Sequence, residues 1–357
     1  MTPPAQSEIA TRSTSGPAAQ LAALLQTAAV AQLEQTGWIR VTGEDRVRWL
    51  NGMVTNAIQP LNDGEGAYNF FLNAQGRIQG DATVFAELAA LLLETASSRI
   101  PGLIAFLEHF IIMDDVELAD IASTRSGLEV IGPQAPSLLA QIGLNVEGLE
   151  PLTTRTIAWN AANITVIHAY SPLVLKFELW TDSETIQRLA GTLRKAGAPP
   201  CEPQSLEWLR ILEGTPLYGT DIRNTEKARE LPQETGQTRA LHFNKGCYLG
   251  QEIVERIRSR GNVHRTFSGF LLKGDLPASG APLEADGKPA GELTSVAAIP
   301  LGDHGEPIQL ALGYVRREAL DRGTPIHYPG GVAVPVSLPF SPAAPPTLRA
   351  ASESERV

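Results

Sequence analysis

The chain has 357 residues, 43% hydrophobic and 19% charged, a composition that excludes global disorder and is long enough for two or three domains. Twenty-nine Lys and Arg against thirty-nine Asp and Glu give a net charge of −10, so attraction to an anion has to come from a local patch. No apolar run reaches the roughly 18–20 residues of a membrane span, and residues 1–10 lack the features of a signal peptide, so a cytoplasmic protein with no membrane partner is expected.

Residues 1–17 and 341–357, rich in Ser, Thr, Pro and Ala, read as disordered ends. Leu21, Leu24, Leu25, Val30 and Leu33 recur at helical spacing and predict an amphipathic helix over 18–33, ended by Gly37. Trp38 to Val41 reads as a strand, and Thr-Gly-Glu-Asp at 42–45 has capping-box spacing before a helix carrying Val47, Leu50 and Val54. Residues 67–72 and 78–85 read as a hairpin across Asn73-Ala-Gln-Gly76, where Asn and Gly suit a tight turn. A strand over 91–95 and a helix after Pro101 follow, the latter with Leu103, Ile104, Leu107 and Phe110 on one face.

Further strands are predicted at 116–121, 128–131, 164–169 and 173–180, with helices at 183–196 and 205–212. Between Gly214 and Gly246 regular periodicity fades into a long polar loop, a kind of segment that is usually functional inside a compact domain. After Arg265, runs at 267–272, 310–315 and 332–338 alternate with Gly and Pro turns and predict a small β-barrel, with a boundary near 264. Cys201, Cys247 and the six scattered histidines lack metal-ligand spacing, so no metal site is expected. Walker A, G-x-G-x-x-G, H-E-x-x-H and G-x-S-x-G motifs are all missing, which removes the main support for NTPase, dehydrogenase, zincin and α/β-hydrolase readings.

The chemistry concentrates in Lys-Gly-Cys-Tyr-Leu-Gly-Gln-Glu at 245–252, followed by a helix over 253–260 that Gly261 ends. A cysteine at or just before a helix N-terminus, with Lys245 two residues away, is expected to favour its thiolate, which makes Cys247 the candidate nucleophile and Lys245 its helper. Cys201, in what reads as a linker, has no such support. From Arg239 to Arg265, six Lys or Arg stand against Glu252 and Glu255, a locally basic segment suited to an anionic ligand such as a phosphate or polyglutamyl tail. Only Phe243, Tyr248 and Phe267 offer stacking rings there, and no RNA-binding signature is present, so direct nucleic-acid binding is not expected.

The segment at 245–252 resembles the signature of YgfZ-type folate-binding proteins, relatives of the glycine-cleavage T-protein (aminomethyltransferase). The resemblance extends upstream through residues 206–221 and Leu231-Pro-Gln-Glu234, and downstream through 253–257 to Arg260-Gly261. Residues 41–43 through Asn56, Leu72-Asn-Ala-Gln-Gly-Arg77 and Ala311-Leu-Gly-Tyr-Val315 are similar to the family's opening elements, hairpin and barrel, so residues 30–335 are covered in all. It implies an α+β fold: a ring of two α+β domains plus a small C-terminal β-barrel, around a channel that receives tetrahydrofolate. The implied division is a folate-binding domain over 18–122, a second domain with the Cys motif over 123–264, and a barrel over 265–340.

Within that resemblance, Phe177-Glu178-Leu179 matches the strand whose carboxylate contacts the pterin, and a carboxylate is suited to accept two parallel N–H bonds from a pterin edge. Arg210, Asp81, Tyr248 and Gln251 complete the implied folate contacts. T-proteins carry an Asp-Asp pair where this chain has Gly80-Asp81, and they lack the cysteine octet, so glycine cleavage is the alternative rather than the main reading. The resemblance implies a tetrahydrofolate-dependent factor, expected as a monomer, that supports iron–sulfur cluster assembly or repair and cluster-dependent tRNA modification through Cys247. Its implied partners are folate and iron–sulfur assembly factors or client enzymes.

Overall fold

The computed structural model of the chain describes residues 16–225, 230–261, 263–301 and 307–340. The disorder expected at the two ends lies outside the described residues, apart from Gly16 and Pro17. The first sheet has the order β3 (Gly66–Leu72), β4 (Ile78–Glu87), β5 (Ala90–Ala96), β2 (Thr36–Thr42), β6 (Glu117–Asp120), all antiparallel. The second runs β1 (Ala29–Gln32), β7 (Ser126–Ile131), β10 (Lys176–Thr181), β9 (Ala162–Ala169), β8 (Thr154–Trp159). A closed barrel of β11 (Arg265–Gly274), β14 (Ile308–Arg316), β13 (Lys288–Ile299), β12 (Pro282–Ala285), β15 (Ile326–Tyr328) and β16 (Gly331–Val336) follows, as the sequence predicts.

Alternation along each strand gives both sheets two apolar faces. On the first sheet, Ile39, Val84, Leu91 and Leu93 pack under α2 (Arg46–Asn51) and α3 (Ile100–Glu108) through Leu50, Leu103 and Leu107. On the second, Val130, Val166 and Leu179 pack under α4 (Ala135–Gln141) and α5 (Ser183–Lys195) through Leu139, Ile186 and Leu189. The remaining faces meet at a seam where Trp38, Phe85 and Leu92 touch Ile167 and Trp180, with the two tryptophan rings edge to face at 5.2 Å. Helix α1 (Pro17–Gln26) packs with α6 (Pro203–Glu213) against the barrel, while α7 (Gln251–Arg260) precedes it and α8 (Arg317–Asp321) follows β14.

Three expectations change. The helix over 18–33 stops at Gln26, and Ala29–Gln32 becomes a strand paired with β7, so the first strand of the chain belongs to the second sheet. Helical spacing cannot see this, because a short apolar run, here Ala29, Val30 and Ala31 all buried, fits either period and tertiary pairing decides. Gly132 permits the crossing: its φ is +131, and a Cβ there would lie 2.4 Å from the carbonyl oxygen of Thr27. Gly37 lies inside β2 rather than ending a helix. Asp45 occupies the N-cap of α2 but caps nothing; its carboxylate accepts from Arg48 at 2.9 Å and from the Asp115 N–H at 3.0 Å. Strand β8 and helix α4 went unpredicted, the first because its half-exposed pattern is weak, the second because Pro136 at its start masked a short periodic run.

The polar segment after Gly214 is held by buried ion pairs rather than by periodic packing. Asp221, 0% exposed, accepts from Arg210 Nη1 at 2.7 Å, the Leu217 N–H at 2.9 Å, Ser295 Oγ at 2.8 Å and the Thr294 hydroxyl. Arg223 bridges Glu230 and Glu292, and Arg265 bonds Glu234, so the segment is tied to the barrel on two sides.

Candidate functional site

The cysteine octet folds onto the rim of the first sheet. Tyr248 is buried among Tyr68, Phe70, Leu72, Ile78 and Val254, and the Leu249 N–H donates to the Gly52 carbonyl at 2.9 Å. Gly250 caps α7 with φ +83, and a Cβ there would approach the Asn73 carbonyl oxygen to 2.7 Å, so only glycine lets the segment lie this close to the hairpin turn. Gln251 starts the helix and its side-chain oxygen accepts the Tyr248 N–H at 3.3 Å. Cys247 is left exposed, three residues ahead of the cap rather than at it, so the helix terminus is not its immediate neighbour.

Lys245, expected beside the thiol, is a structural pin. Its Nζ donates to the carbonyls of Asn51, Val54 and Asn56, each at 2.7 Å, spending all three protons on the chain that leaves α2. Burial pulls its pKa down to about 7, while the three carbonyls favour the ammonium, which alone has three protons to give. Cys201 packs partly buried at the edge of the α1–α6–barrel core, and burial pushes its thiol up to about 12. Brief treatment of the native protein with iodoacetamide is therefore expected to alkylate Cys247 and spare Cys201, read by peptide mass spectrometry. Equal labelling of both would contradict the placement.

Asp81 lies two residues from Thr83 and four from Phe85, on the seam face of the first sheet. It accepts from the Tyr68 hydroxyl at 2.7 Å, and burial pushes its carboxyl above the ordinary aspartate value. Arg239 is held between two rings, its guanidinium carbon 4.0 Å from the centroid of Tyr68 and 3.9 Å from that of Tyr170. Burial lowers the pKa of that guanidinium from its usual value, with the two tyrosines and Asp81 opposing. Sequence reasoning counted Arg239 only as one of six basic residues and missed Tyr68 and Tyr170; nothing in their local spacing announces a sandwich that three distant segments build.

Glu178 stands across the seam, 5% exposed, on β10 directly opposite Glu129 of β7. Its Oε2 accepts from Trp180 Nε1 at 2.9 Å, and Lys176, two residues back on the same face, pairs with Glu129 at 2.7 Å. Burial works against the Lys176 ammonium, but Glu129 and Glu178 outweigh it and hold its pKa above the ordinary lysine value. From β5, Glu94 lies on the same seam; burial first and the Glu178 charge second push its carboxyl well above the usual range. Glu94 pairs in register with Thr83, so Glu178, Glu94, Asp81 and Tyr68 follow one another along the seam toward Tyr248.

Arg210 is not in this group. Its donors go to Glu207, Thr215, Asp221 and Ser295, so the folate contact implied for it is replaced by a framework role joining α6, the polar segment and the barrel. A cleft of about 760 Å³ opens elsewhere, where Gly261 and His264 meet Arg265, Arg316 and Arg317; none of the predicted site residues lines it. Among the described residues no three His, Cys, Asp or Glu side chains are placed to hold a metal, and no helix is long and apolar enough to cross a membrane.

Residues 7–245 match the family model of the GCVT N-terminal domain. The chain belongs to the GCVT family. Residues 266–342 match the CAF17 C-terminal β-barrel domain, and with the relatives below they make the chain a YgfZ-type member of the T-protein superfamily. The tRNA-modifying protein YgfZ of Yersinia pseudotuberculosis is 29% identical over 259 residues, covering 71% of this chain and 74% of that protein. The aminomethyltransferase of Streptomyces avermitilis is 27% identical over 297 residues, covering 80% and 77%. The crystal structure of glycine cleavage system aminomethyltransferase T from Bartonella henselae superposes with a TM-score of 0.80 at 20% identity over 92% of this chain and 90% of that one, which gives the fold. This GCVT member carries its thiol on the rim of the first sheet, with Asp81 and Glu178 on the faces that meet at the seam.

Proposed function

We propose that this protein binds tetrahydrofolate and, through Cys247, supports iron–sulfur enzymes, including those that modify tRNA. The observation that carries the reading is the exposed thiol of Cys247 on a segment pinned to the sheet whose seam face holds Asp81 and faces Glu178. The family supplies the context: YgfZ relatives are named tRNA-modifying proteins. In this reading Glu178 accepts the pterin's N–H donors, for a carboxylate has about four acceptor sites and Trp180 occupies one. Asp81, Tyr68 and Arg239 line the way toward the Cys segment. A thiolate there is able to take up a one-carbon unit, enter a mixed disulfide or ligate a cluster transiently.

Calorimetric titration with tetrahydrofolate tests the folate half. Glu178→Ala is expected to weaken binding by roughly 1.5–3 kcal/mol, about 10- to 150-fold, because it removes charge-assisted hydrogen bonds. Unchanged affinity in this variant would remove Glu178 from the site. The second reading, folate-dependent aminomethyl transfer, draws on the aminomethyltransferase relatives and on Asp81 with Glu178. An assay with aminomethylated lipoyl carrier protein separates the two: the main reading expects no methylene-tetrahydrofolate, and its formation would favour the second.

A further inference from the structure

The cleft of about 760 Å³ opens at the corner where β11 begins and β14 runs into α8, and its volume is that of a small-molecule site. The Arg317 N–H closes the corner by donating to the His264 carbonyl at 3.0 Å. In the antiparallel ladder Arg265 stands directly opposite Arg316, and Arg317 follows at the first position of α8, so three arginines line the cleft together. Like charges directly opposite each other across a ladder repel, and an anion between them offsets that cost.

The arginines differ in their partners. Arg265 donates to Glu234 at 3.0 and 3.2 Å, and Arg322, just past the end of α8, is paired with Glu318. Arg316 and Arg317 are exposed, and among the described residues neither side chain has a hydrogen bond or an ion pair. Asp321, on the same lining, is likewise without an ion pair among those residues. A guanidinium with its N–H groups free is a fork that receives a phosphate on two oxygens. Two such forks suit a phosphate monoester, which approaches a dianion at neutral pH. Asp321 and the net charge of −10 oppose a long polyanion, and no Phe, Tyr or Trp lines the cleft to stack a base. Beside a bound phosphate the Asp321 carboxylate is instead an acceptor for hydroxyl groups.

We propose that this cleft is a ligand site separate from the seam, and that it takes a small phosphate monoester bearing hydroxyl groups, such as a sugar phosphate. Arg316 and Arg317 hold the phosphate, and Asp321 accepts from a hydroxyl. The site shares no residue with the folate reading, so neither depends on the other.

Ribose 5-phosphate is the probe, titrated calorimetrically into the full chain in a phosphate-free buffer of low ionic strength. It should bind the wild type more tightly than inorganic phosphate does. Its affinity should fall roughly tenfold or more in Arg316→Gln and in Arg317→Gln, since each removes charge-assisted hydrogen bonds. Both side chains are exposed, so thermal unfolding of the two variants without ligand should match that of the wild type. In Asp321→Ala the ratio of the two affinities should fall toward one, because relief of repulsion is common to both probes while only the sugar phosphate loses a hydroxyl acceptor. Absence of ribose 5-phosphate binding, an affinity unchanged in both arginine variants, or a ratio untouched by Asp321→Ala would each overturn the proposal. A single-stranded RNA that bound more tightly than ribose 5-phosphate, and was weakened by the same arginine variants, would overturn it in favour of a nucleic-acid site.

Discussion

Replacing Cys247 with serine is expected to abolish support of iron–sulfur enzymes while leaving the fold intact. The substitution changes one atom on an exposed side chain whose neighbours are fixed by backbone bonds and by Lys245 and Tyr248, so no packing is lost. What is lost is chemistry. A thiolate attacks disulfides, accepts electrophilic carbon and binds iron, whereas a serine hydroxyl stays protonated at neutral pH and does none of these without an activating base. The measurement is the activity of a cluster-bearing tRNA-modifying enzyme in cells whose own copy of this protein has been deleted, complemented with wild type or C247S. Thermal unfolding of the purified pair should coincide within about 1 °C, since exposed substitutions of this kind are usually within about 0.5 kcal/mol. Full complementation by the serine variant would remove the thiol from the mechanism and leave only the binding site.

The largest loss of stability is expected at Asp221. Its carboxylate is wholly buried and receives donors from Arg210, Leu217, Thr294 and Ser295, which belong to α6, the polar segment and the barrel. Asp221→Ala leaves the Arg210 guanidinium, itself mostly buried, with Glu207 alone as its counter-ion. Breaking one side of a buried pair costs about 3–5 kcal/mol, because the remaining charge is stranded in a poorly polarisable interior. The denaturation midpoint should fall accordingly, and Tm by roughly 5–10 °C. Asp221→Asn keeps the shape and two acceptor lone pairs but not the charge, so it should lie between alanine and wild type. A midpoint unchanged in the alanine variant would show that the segment is held by packing alone.

The local signals were strong where one element settles its own structure. The hairpin across Asn73–Gly76, the helix closed by Gly261 and the alternating strands of the barrel are visible because turn chemistry and side-chain period act over a few residues. Misreadings fell where distant chain decides. Residues 29–32 carry a helical pattern yet pair with β7, and Lys245 sits two residues from Cys247 in the chain yet turns its amine to carbonyls some 190 residues away.

The octet at 245–252 and its likeness to YgfZ-type proteins were legible in the sequence alone, because a rare motif is a property of the chain itself, and the α+β fold with a C-terminal barrel followed from that likeness. The bond of Trp180 to the buried Glu178, the clasp of Tyr68 and Tyr170 on Arg239, and the withdrawal of Arg210 into the framework were decided only by tertiary structure. A charge's role depends on which groups desolvate it and which oppose it. Those groups arrive from strands and loops tens to hundreds of residues apart, so burial and partnership emerge only once the sheets have closed on each other.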